Sequence, residues 1–247
     1  MDSGNIGFVL LCSAFVFVMT PGLAMFYGGL VRKKNVVNTM MTSIFIIGVG
    51  IVMWVLFGYS LSFAPSGNAF IGDFRWLGLE GVSLTEGYTD DASIPNMVFS
   101  AFQMMFAVIT PALITGAVAG RMKFKSIFVF TIFWSLIVYY PLAHMVWGQG
   151  GLLGADGIGA LDFAGGDVVH ISSGVSALVL CILLGKRHDY EHSIYRIHNI
   201  PTVVLGASLL MFGWFGFNAG SALAADGLAA HAFMTTGVSA AAAMLSW

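Results

Sequence analysis

The chain of 247 residues is 58% hydrophobic and only 9% charged, with a formal net charge of -2 at pH 7. A soluble domain is excluded, because its surface needs a much larger share of charged side chains. The near-neutral net charge provides no general attraction to nucleic acid, and we expect no such partner.

Seven apolar segments, each long enough to cross a bilayer, follow one another along the chain. They cover residues 6–31, 40–64, 96–120, 126–147, 168–185, 202–223 and 228–247. The last two are rich in Ala and Gly, which favours close packing between helices in a membrane. We therefore predict an all-α integral membrane protein, a multi-span helical bundle in which residues 1–247 form a single transmembrane domain.

Basic residues are concentrated in the loops after the first, third and fifth segments, and only Arg75 lies on the opposite side. The loops on that opposite side carry most of the acidic residues. Loops rich in Lys and Arg remain in the cytoplasm, so we predict a multi-pass protein of the cytoplasmic membrane with its N-terminus outside. The residues that set this orientation are Arg32, Lys33, Lys34, Arg121, Lys123, Lys125, Lys186, Arg187 and Arg196.

An aspartate and a histidine mark the start of the fifth segment, in the sequence DFAGGDVVH from Asp162 to His170. Ionisable side chains at membrane depth are costly and usually face a polar pathway or a partner. A neutral imidazole can accept or donate a hydrogen bond and can pass a proton. Two interpretations of His170 remain open: a pathway residue, or a structural hydrogen bond to a neighbouring helix. We expect Asp162 to accept backbone N–H bonds at the helix N-terminus and, as a secondary hypothesis, to attract cations.

Four sequence blocks resemble the ammonium transporter family, which also includes the Rhesus-type channels. They are PGLAMFYGGLV (21–31), HMVWG (144–148), DFAGGDVVH (162–170) and GWFGFNAGS (213–221). The blocks occur in family order, and the match is closer to the microbial and plant transporters than to the Rhesus branch. The resemblance implies a homotrimer with a pore through each subunit, built from two inverted repeats of five helices and a final helix. The chain would supply the first repeat and the start of the second.

The resemblance also implies roles for individual residues. In this family an outer vestibule recruits ammonium or methylammonium beside residues that match Trp147, Ser221 and Phe106. Phe106 and Phe217 match a stacked pair that closes the pore, and His170 matches the first of two pore histidines. Without the resemblance, Trp147 would be interpreted as an interfacial aromatic residue and the two phenylalanines as core residues.

These residues predict ammonium transport across the cytoplasmic membrane, with recruitment of the cation, deprotonation, and passage through an apolar pore lined by histidine. Two alternatives remain open: an ammonium sensor that uses the same fold with a cytoplasmic signalling domain, and a channel for neutral ammonia or another gas. A P-II-type signalling protein is the partner that the family suggests for the cytoplasmic face. The sequence contains no enzyme motif, cofactor motif or metal-ligand spacing.

A seven-helix retinal protein is a further candidate from the number of segments. It would need a lysine in the last segment, and residues 228–247 contain none.

The family's second pore histidine belongs to its tenth helix, whereas Trp247 lies in the seventh. We therefore expect residues 1–247 to be part of a longer chain, with a half-transporter that needs a complement as the alternative.

Overall fold

The computed structural model describes residues 1–65, 68–155, 157–187, 190 and 194–247. Within these ranges the chain forms seven helices long and apolar enough to cross a membrane, and it forms no β-strand. The prediction of an all-α, multi-span membrane fold is confirmed. In chain order the helices are α1 (Ser3–Leu30), α2 (Lys33–Phe63), α3 (Asn96–Val118), α4 (Phe124–Trp147), α5 (Gly166–Leu184), α6 (Ile200–Gly220) and α7 (Gly227–Ser246).

Each helix overlaps one apolar segment of the sequence, and the largest difference is at the start of α2. The apolar segment begins at residue 40, whereas α2 begins with a 3₁₀ turn at Lys33–Asn35 and continues as an α-helix from Val36. Hydropathy marks the part of a helix that suits lipid, and it does not detect a polar first turn. The helical backbone therefore starts earlier than the apolar pattern.

Among the described residues, three of the helices contain a stretch of π-helix: Trp54–Gly58 in α2, Ser135–Tyr139 in α4 and Gly166–Ile171 in α5. Such turns are rare overall but frequent at functional sites. The stretch in α5 follows Gly165, whose φ of 101° lies in the left-handed region that glycine adopts readily. It contains His170, whose backbone N–H donates to the carbonyl oxygen of Gly165 at 3.0 Å.

Helix α3 is the central helix, and α1 and α6 form the most extensive pair of the bundle. In the most apolar window of each helix, 67% of α3 is buried, against 11% of α7. Helix α1 also contacts α2 and α3, and α7 packs on α6. Helices α1 and α6 are antiparallel, because the start of α6 meets the end of α1. The backbone N–H of Asn199, just before α6, donates to the carbonyl oxygen of Gly29 near the end of α1 at 3.1 Å.

Glycines bring the backbones of α1 and α6 together. A Cβ atom at Gly206 of α6 would lie 2.3 Å from the backbone nitrogen of Phe26 and 2.6 Å from the carbonyl oxygen of Gly22. Both distances are far below van der Waals contact, so a larger residue would push the helices apart. Small residues permit such close contact between membrane helices. The contact holds α6, which carries Phe217 and leads into Ser221, against α1.

The N-terminus, the loop between α2 and α3 and the segment after α6 meet at one end of the bundle, termed the outer end. The backbone N–H of Asp2 donates to the carbonyl oxygen of Ser93 at 2.8 Å, and the Ser93 hydroxyl donates to that of Leu223 at 3.5 Å. The backbone N–H of Ala225 donates to the side chain of Asn5 at 2.8 Å. The opposite end, where α1, α3 and α5 finish, is termed the inner end.

A buried histidine attaches the last turn of α4 to the end of α2. The side chain of His144 is completely buried. Its Nδ1 lies 3.1 Å from the carbonyl oxygen of Ser62, and its Nε2 lies 2.8 Å from that of Asn68. These contacts hold the turn that ends at Trp147.

Candidate functional site

A cavity of about 430 Å³ opens at the outer end, between α3, the end of α4 and the segment after α6. We term it the outer cavity. Its wall combines aromatic rings with polar and acidic side chains. The three residues predicted for a recruitment site, Phe106, Trp147 and Ser221, all belong to this wall. The lining residues discussed first are Tyr88, Asp91, Gln103, Phe106, Trp147, Asp162 and Ser221.

Trp147 is held in the wall by contacts on two sides. Its indole Nε1–H donates to the backbone carbonyl of Asp162 at 2.9 Å. Its ring stands at 90° to that of Phe106, with 6.0 Å between the centroids. Because the N–H edge already has a partner, the ring orientation is set before any ligand arrives. The face of an indole ring attracts a cation within about 6 Å.

The carboxylate of Asp162 accepts four backbone hydrogen bonds at the start of α5. Oδ1 accepts from Gly165 at 2.5 Å and Gly166 at 2.8 Å, and Oδ2 accepts from Asp167 at 2.8 Å and Val168 at 3.0 Å. These bonds satisfy N–H groups that a helix start otherwise leaves unpaired, and the negative charge complements the helix dipole. The carboxylate therefore anchors α5 while it borders the outer cavity.

Phe106 and Phe217 stand between the outer cavity and His170. Their ring centroids are 4.2 Å apart, the planes are tilted by 38°, and each side chain is 1% exposed. Phe106 lines the cavity, whereas Phe217 lies behind it, 6.0 Å from the ring of His170. A cation that moved from the cavity toward His170 would meet this pair first.

The imidazole of His170 lies among aromatic rings. It stacks on Trp214 with 5.4 Å between centroids and an interplanar angle of 14°. Across the described residues, no hydrogen bond to the ring of His170 is found. The structural interpretation of His170 requires a hydrogen bond to a neighbouring helix. No such bond is found among the described residues.

Ser221 follows the last turn of α6 and keeps an acceptor available. Its hydroxyl donates to the carbonyl oxygen of Phe217 at 2.9 Å. A hydroxyl that donates its only hydrogen can still accept through its oxygen. Ser221 can therefore receive an N–H bond from a molecule in the outer cavity.

The charges that line the outer cavity are negative in the ranges that the structure covers. Asp162 borders it, and Asp91 is exposed at its mouth. Burial raises the pKa of Tyr88, also in the wall, to about 12, so its hydroxyl stays neutral at physiological pH. Two carboxylates in a cleft attract small cations. Among the described residues, no three His, Cys, Asp or Glu side chains are placed to hold a metal ion.

Comparison with known proteins establishes the family of the chain. The profile of the Ammonium Transporter Family matches residues 7–247. The chain belongs to the ammonium transporter family. An ammonium transporter of Bacillus subtilis is 51% identical over the whole chain, which spans 59% of that relative's length. The chain therefore corresponds to less than two thirds of its bacterial relative.

Two solved structures have the same architecture as this chain. Saccharomyces cerevisiae Mep2 is 38% identical, with a TM-score of 0.80 over 91% of this chain and 50% of that chain. A protein described as a sensor Amt protein is 30% identical, with a TM-score of 0.86 over 98% of this chain and 60% of that chain. The description as a transporter thus occurs among the relatives by sequence, and the description as a sensor occurs among the similar structures.

The loops after α1, α3 and α5 meet at the inner end of this ammonium transporter family member. They line a cavity of about 410 Å³ with side chains that are mostly basic. The ring of Tyr195 lies 4.9 Å from the guanidinium of Arg32 and 4.5 Å from that of Arg187. The basic lining residues are Arg32, Lys34, Arg121, Lys186 and Arg187.

Residues outside the sequence motifs also line the outer cavity. They include Tyr88, Asp91 and Gln103. Gln103 had a detectable signal, since an uncharged amide within an apolar segment is unusual. Asp91 had none, because it belongs to a loop with several other acidic residues.

Proposed function

We propose that the full-length protein transports ammonium across the cytoplasmic membrane. The observation that carries the proposal is a continuous series of ring contacts from the acidic outer cavity to His170. Trp147 contacts Phe106 at 6.0 Å, Phe106 contacts Phe217 at 4.2 Å, and Phe217 contacts His170 at 6.0 Å, measured between centroids. Membership of the ammonium transporter family supports the same substrate.

Capture of the cation takes place in the outer cavity. The carboxylates of Asp91 and Asp162 raise the local cation concentration. The face of Trp147 provides a cation–π contact, and the hydroxyl oxygen of Ser221 accepts an N–H bond. Phe106, whose ring contacts that of Trp147 edge-on, adds a second ring to the cavity wall.

Deprotonation follows at the Phe106–Phe217 pair. Both rings are almost completely buried, so water cannot accompany the ion past them. A dehydrated charge in apolar surroundings is costly, which favours loss of a proton to a nearby base. His170 is the base that the geometry offers beyond the pair. Its imidazole accepts the proton and relays it inward while the neutral ammonia continues along the pore, so that one positive charge crosses with each nitrogen.

Orientation and partners follow from the distribution of charge and from the family. The inner end is basic, so we place it in the cytoplasm and the N-terminus outside. We propose a homotrimer, as the sequence resemblance implies. A P-II-type signalling protein is the proposed partner of the inner end, where the basic loops after α1, α3 and α5 converge.

A sensor is the second candidate, because the sensor Amt protein covers 98% of this chain with a TM-score of 0.86. A channel for neutral gas is less well supported, since Trp147 and Ser221 suit a cation. The test is reconstitution of the full-length protein in liposomes, with ammonium-evoked current and isotopic uptake recorded together. Transport predicts both signals. Ammonium binding without uptake would favour the sensor, and uptake without current would favour the gas channel.

A further inference from the structure

Gln103 contributes an amide to the wall of the outer cavity. It lies on α3 one turn before Phe106, and its side chain is 8% exposed. Residues 99, 102, 103 and 106 all line the cavity, and this spacing places them on one face of the helix. The other three are phenylalanines. Gln103 is therefore the polar group on an otherwise aromatic face.

The amide of Gln103 has no hydrogen-bond partner in the described part of the chain. Its Oε1 is buried and accepts no hydrogen bond, and no other bond of the side chain is found. Buried polar groups in folded proteins are normally paired, so an unpaired one indicates an absent partner. The hydroxyls of Thr20, Thr39 and Ser62 are also buried and unpaired, but these residues do not line the outer cavity.

We propose that Gln103 is a further ion-binding residue, whose amide oxygen accepts an N–H bond from a small ammonium cation in the outer cavity. The inference rests on the proposed function. Rotation about the last side-chain torsion exchanges the amide oxygen and nitrogen, and the preferences of this torsion are broad. No described protein group holds the amide in one orientation, so a cation can turn the oxygen toward itself.

The chemistry of the cation fits this arrangement. Ammonium has several N–H donors, and the cavity offers them the ring of Trp147, the hydroxyl oxygen of Ser221 and the amide oxygen of Gln103. The carboxylate of Asp162 is already occupied by four backbone N–H groups. An uncharged acceptor strengthens capture without the tight hold of a fixed charge, and a transported ion must also be released.

The proposal is tested with Gln103→Met in the full-length protein in liposomes, using methylammonium as the probe. The half-saturation concentration should rise about tenfold, because a hydrogen bond to a charged group is lost. Gln103→Glu keeps an oxygen acceptor in either protonation state and should stay at or below the wild-type value. Gln149→Met is the matched control, since the amide of Gln149 already donates to the carbonyl oxygen of Tyr88 at 2.9 Å.

Thermal unfolding distinguishes ion binding from a structural role. Because Oε1 is unpaired, Gln103→Met should not lower the unfolding temperature in ammonium-free buffer. Ammonium chloride should raise that temperature less in the variant than in the wild type, compared with sodium chloride at equal concentration. A lower unfolding temperature combined with an unchanged half-saturation concentration would make Gln103 a structural residue and overturn the proposal.

Two reference variants separate this inference from the proposed function. If Trp147→Leu and Ser221→Ala raise the half-saturation concentration and Gln103→Met does not, the role of Gln103 is overturned and the proposed function stands. If none of the three variants changes it, the outer cavity is not the capture site, and the inference fails together with that part of the proposed function.

Discussion

The indole N–H of Trp147 donates a hydrogen bond of 2.9 Å to the backbone carbonyl of Asp162. The carboxylate of the same aspartate accepts four backbone N–H bonds at the start of α5, the helix that carries His170. One loop residue therefore positions both the ring at the outer cavity and the helix of the histidine. Hydrogen bonds of Asp162 thus connect the ring proposed for capture with the helix whose histidine is proposed for deprotonation.

Trp147→Leu should weaken capture of the cation while the pore stays open. A cation–π contact contributes about 1–2 kcal/mol when it is partly desolvated, which corresponds to a roughly five- to thirtyfold rise in the half-saturation concentration for methylammonium. Trp147→Phe keeps a ring face but loses the hydrogen bond to Asp162. Its half-saturation concentration should lie between those of the wild type and Trp147→Leu. Trp76→Leu is the control, because Trp76 lies in the loop between α2 and α3, where its ring stacks on Tyr59, and does not line the outer cavity. An unchanged concentration dependence in Trp147→Leu would make Trp147 an interfacial residue only.

Ser221→Ala removes an acceptor from the cavity. A hydrogen bond to a charged group contributes about 1.5–3 kcal/mol, so the half-saturation concentration should rise tenfold or more. Ser208→Ala is a matched control on α6, because the Ser208 hydroxyl donates to the carbonyl oxygen of Val204 at 2.9 Å, the same geometry as in Ser221. Equal losses in both variants would indicate a helix-packing effect, and the amount of assembled protein would show it.

Asp162→Asn should destabilise the protein more than Asp226→Asn. The amide has one oxygen where the carboxylate has two, so part of the four-bond arrangement at α5 is lost at about 1.5–3 kcal/mol for each bond to a charged group. Asp226 caps α7 through a single bond, to the backbone N–H of Ala229 at 2.9 Å. Thermal unfolding in detergent provides the comparison. Equal unfolding temperatures for the two variants would contradict an anchoring role of Asp162.

Replacement of His170 tests the proton-transfer step. His170→Leu offers ammonia no hydrogen-bond partner and no base, so ammonium-evoked current should fall strongly. His170→Asp places an acid beyond the Phe106–Phe217 pair, which should favour intact cations and relax selectivity against potassium. His198→Leu, at an exposed loop histidine, should leave the current unchanged. Full current in His170→Leu would remove the proton relay.

The helices were predictable because membrane insertion depends on properties that are local in the sequence. About twenty apolar residues in a row are enough to cross a bilayer. The seven membrane-length helices found among the described residues overlap seven such runs. The start of α2 at Lys33 was not predictable in this way, since a 3₁₀ turn with two lysines is polar. The π-helical stretches described above could not be predicted from hydropathy either, because the apolar pattern does not mark the extra residue in a turn.

The candidate site was predictable only where short motifs carried it. A resemblance to a family predicted five site residues: Phe106, Trp147, His170, Phe217 and Ser221. Four of them form one series of ring contacts, and the Ser221 hydroxyl donates to the carbonyl oxygen of Phe217. Their transport roles stay predictions. The unpaired amide of Gln103 could not be found from sequence, because lack of a partner is a property of the surroundings of a side chain.

The sequence by itself determined that the chain is a helical membrane protein, where its spans lie and which loops are basic, because hydropathy and charge add up residue by residue. The resemblance to a family predicted Phe106, Trp147 and Ser221 at one site, whereas only the tertiary structure shows that they share a cavity with Asp162. These residues come from α3, α4, the loop before α5 and the end of α6. Their convergence depends on contacts between helices, such as the approach of Gly206 to α1, and spacing along the chain does not encode such contacts.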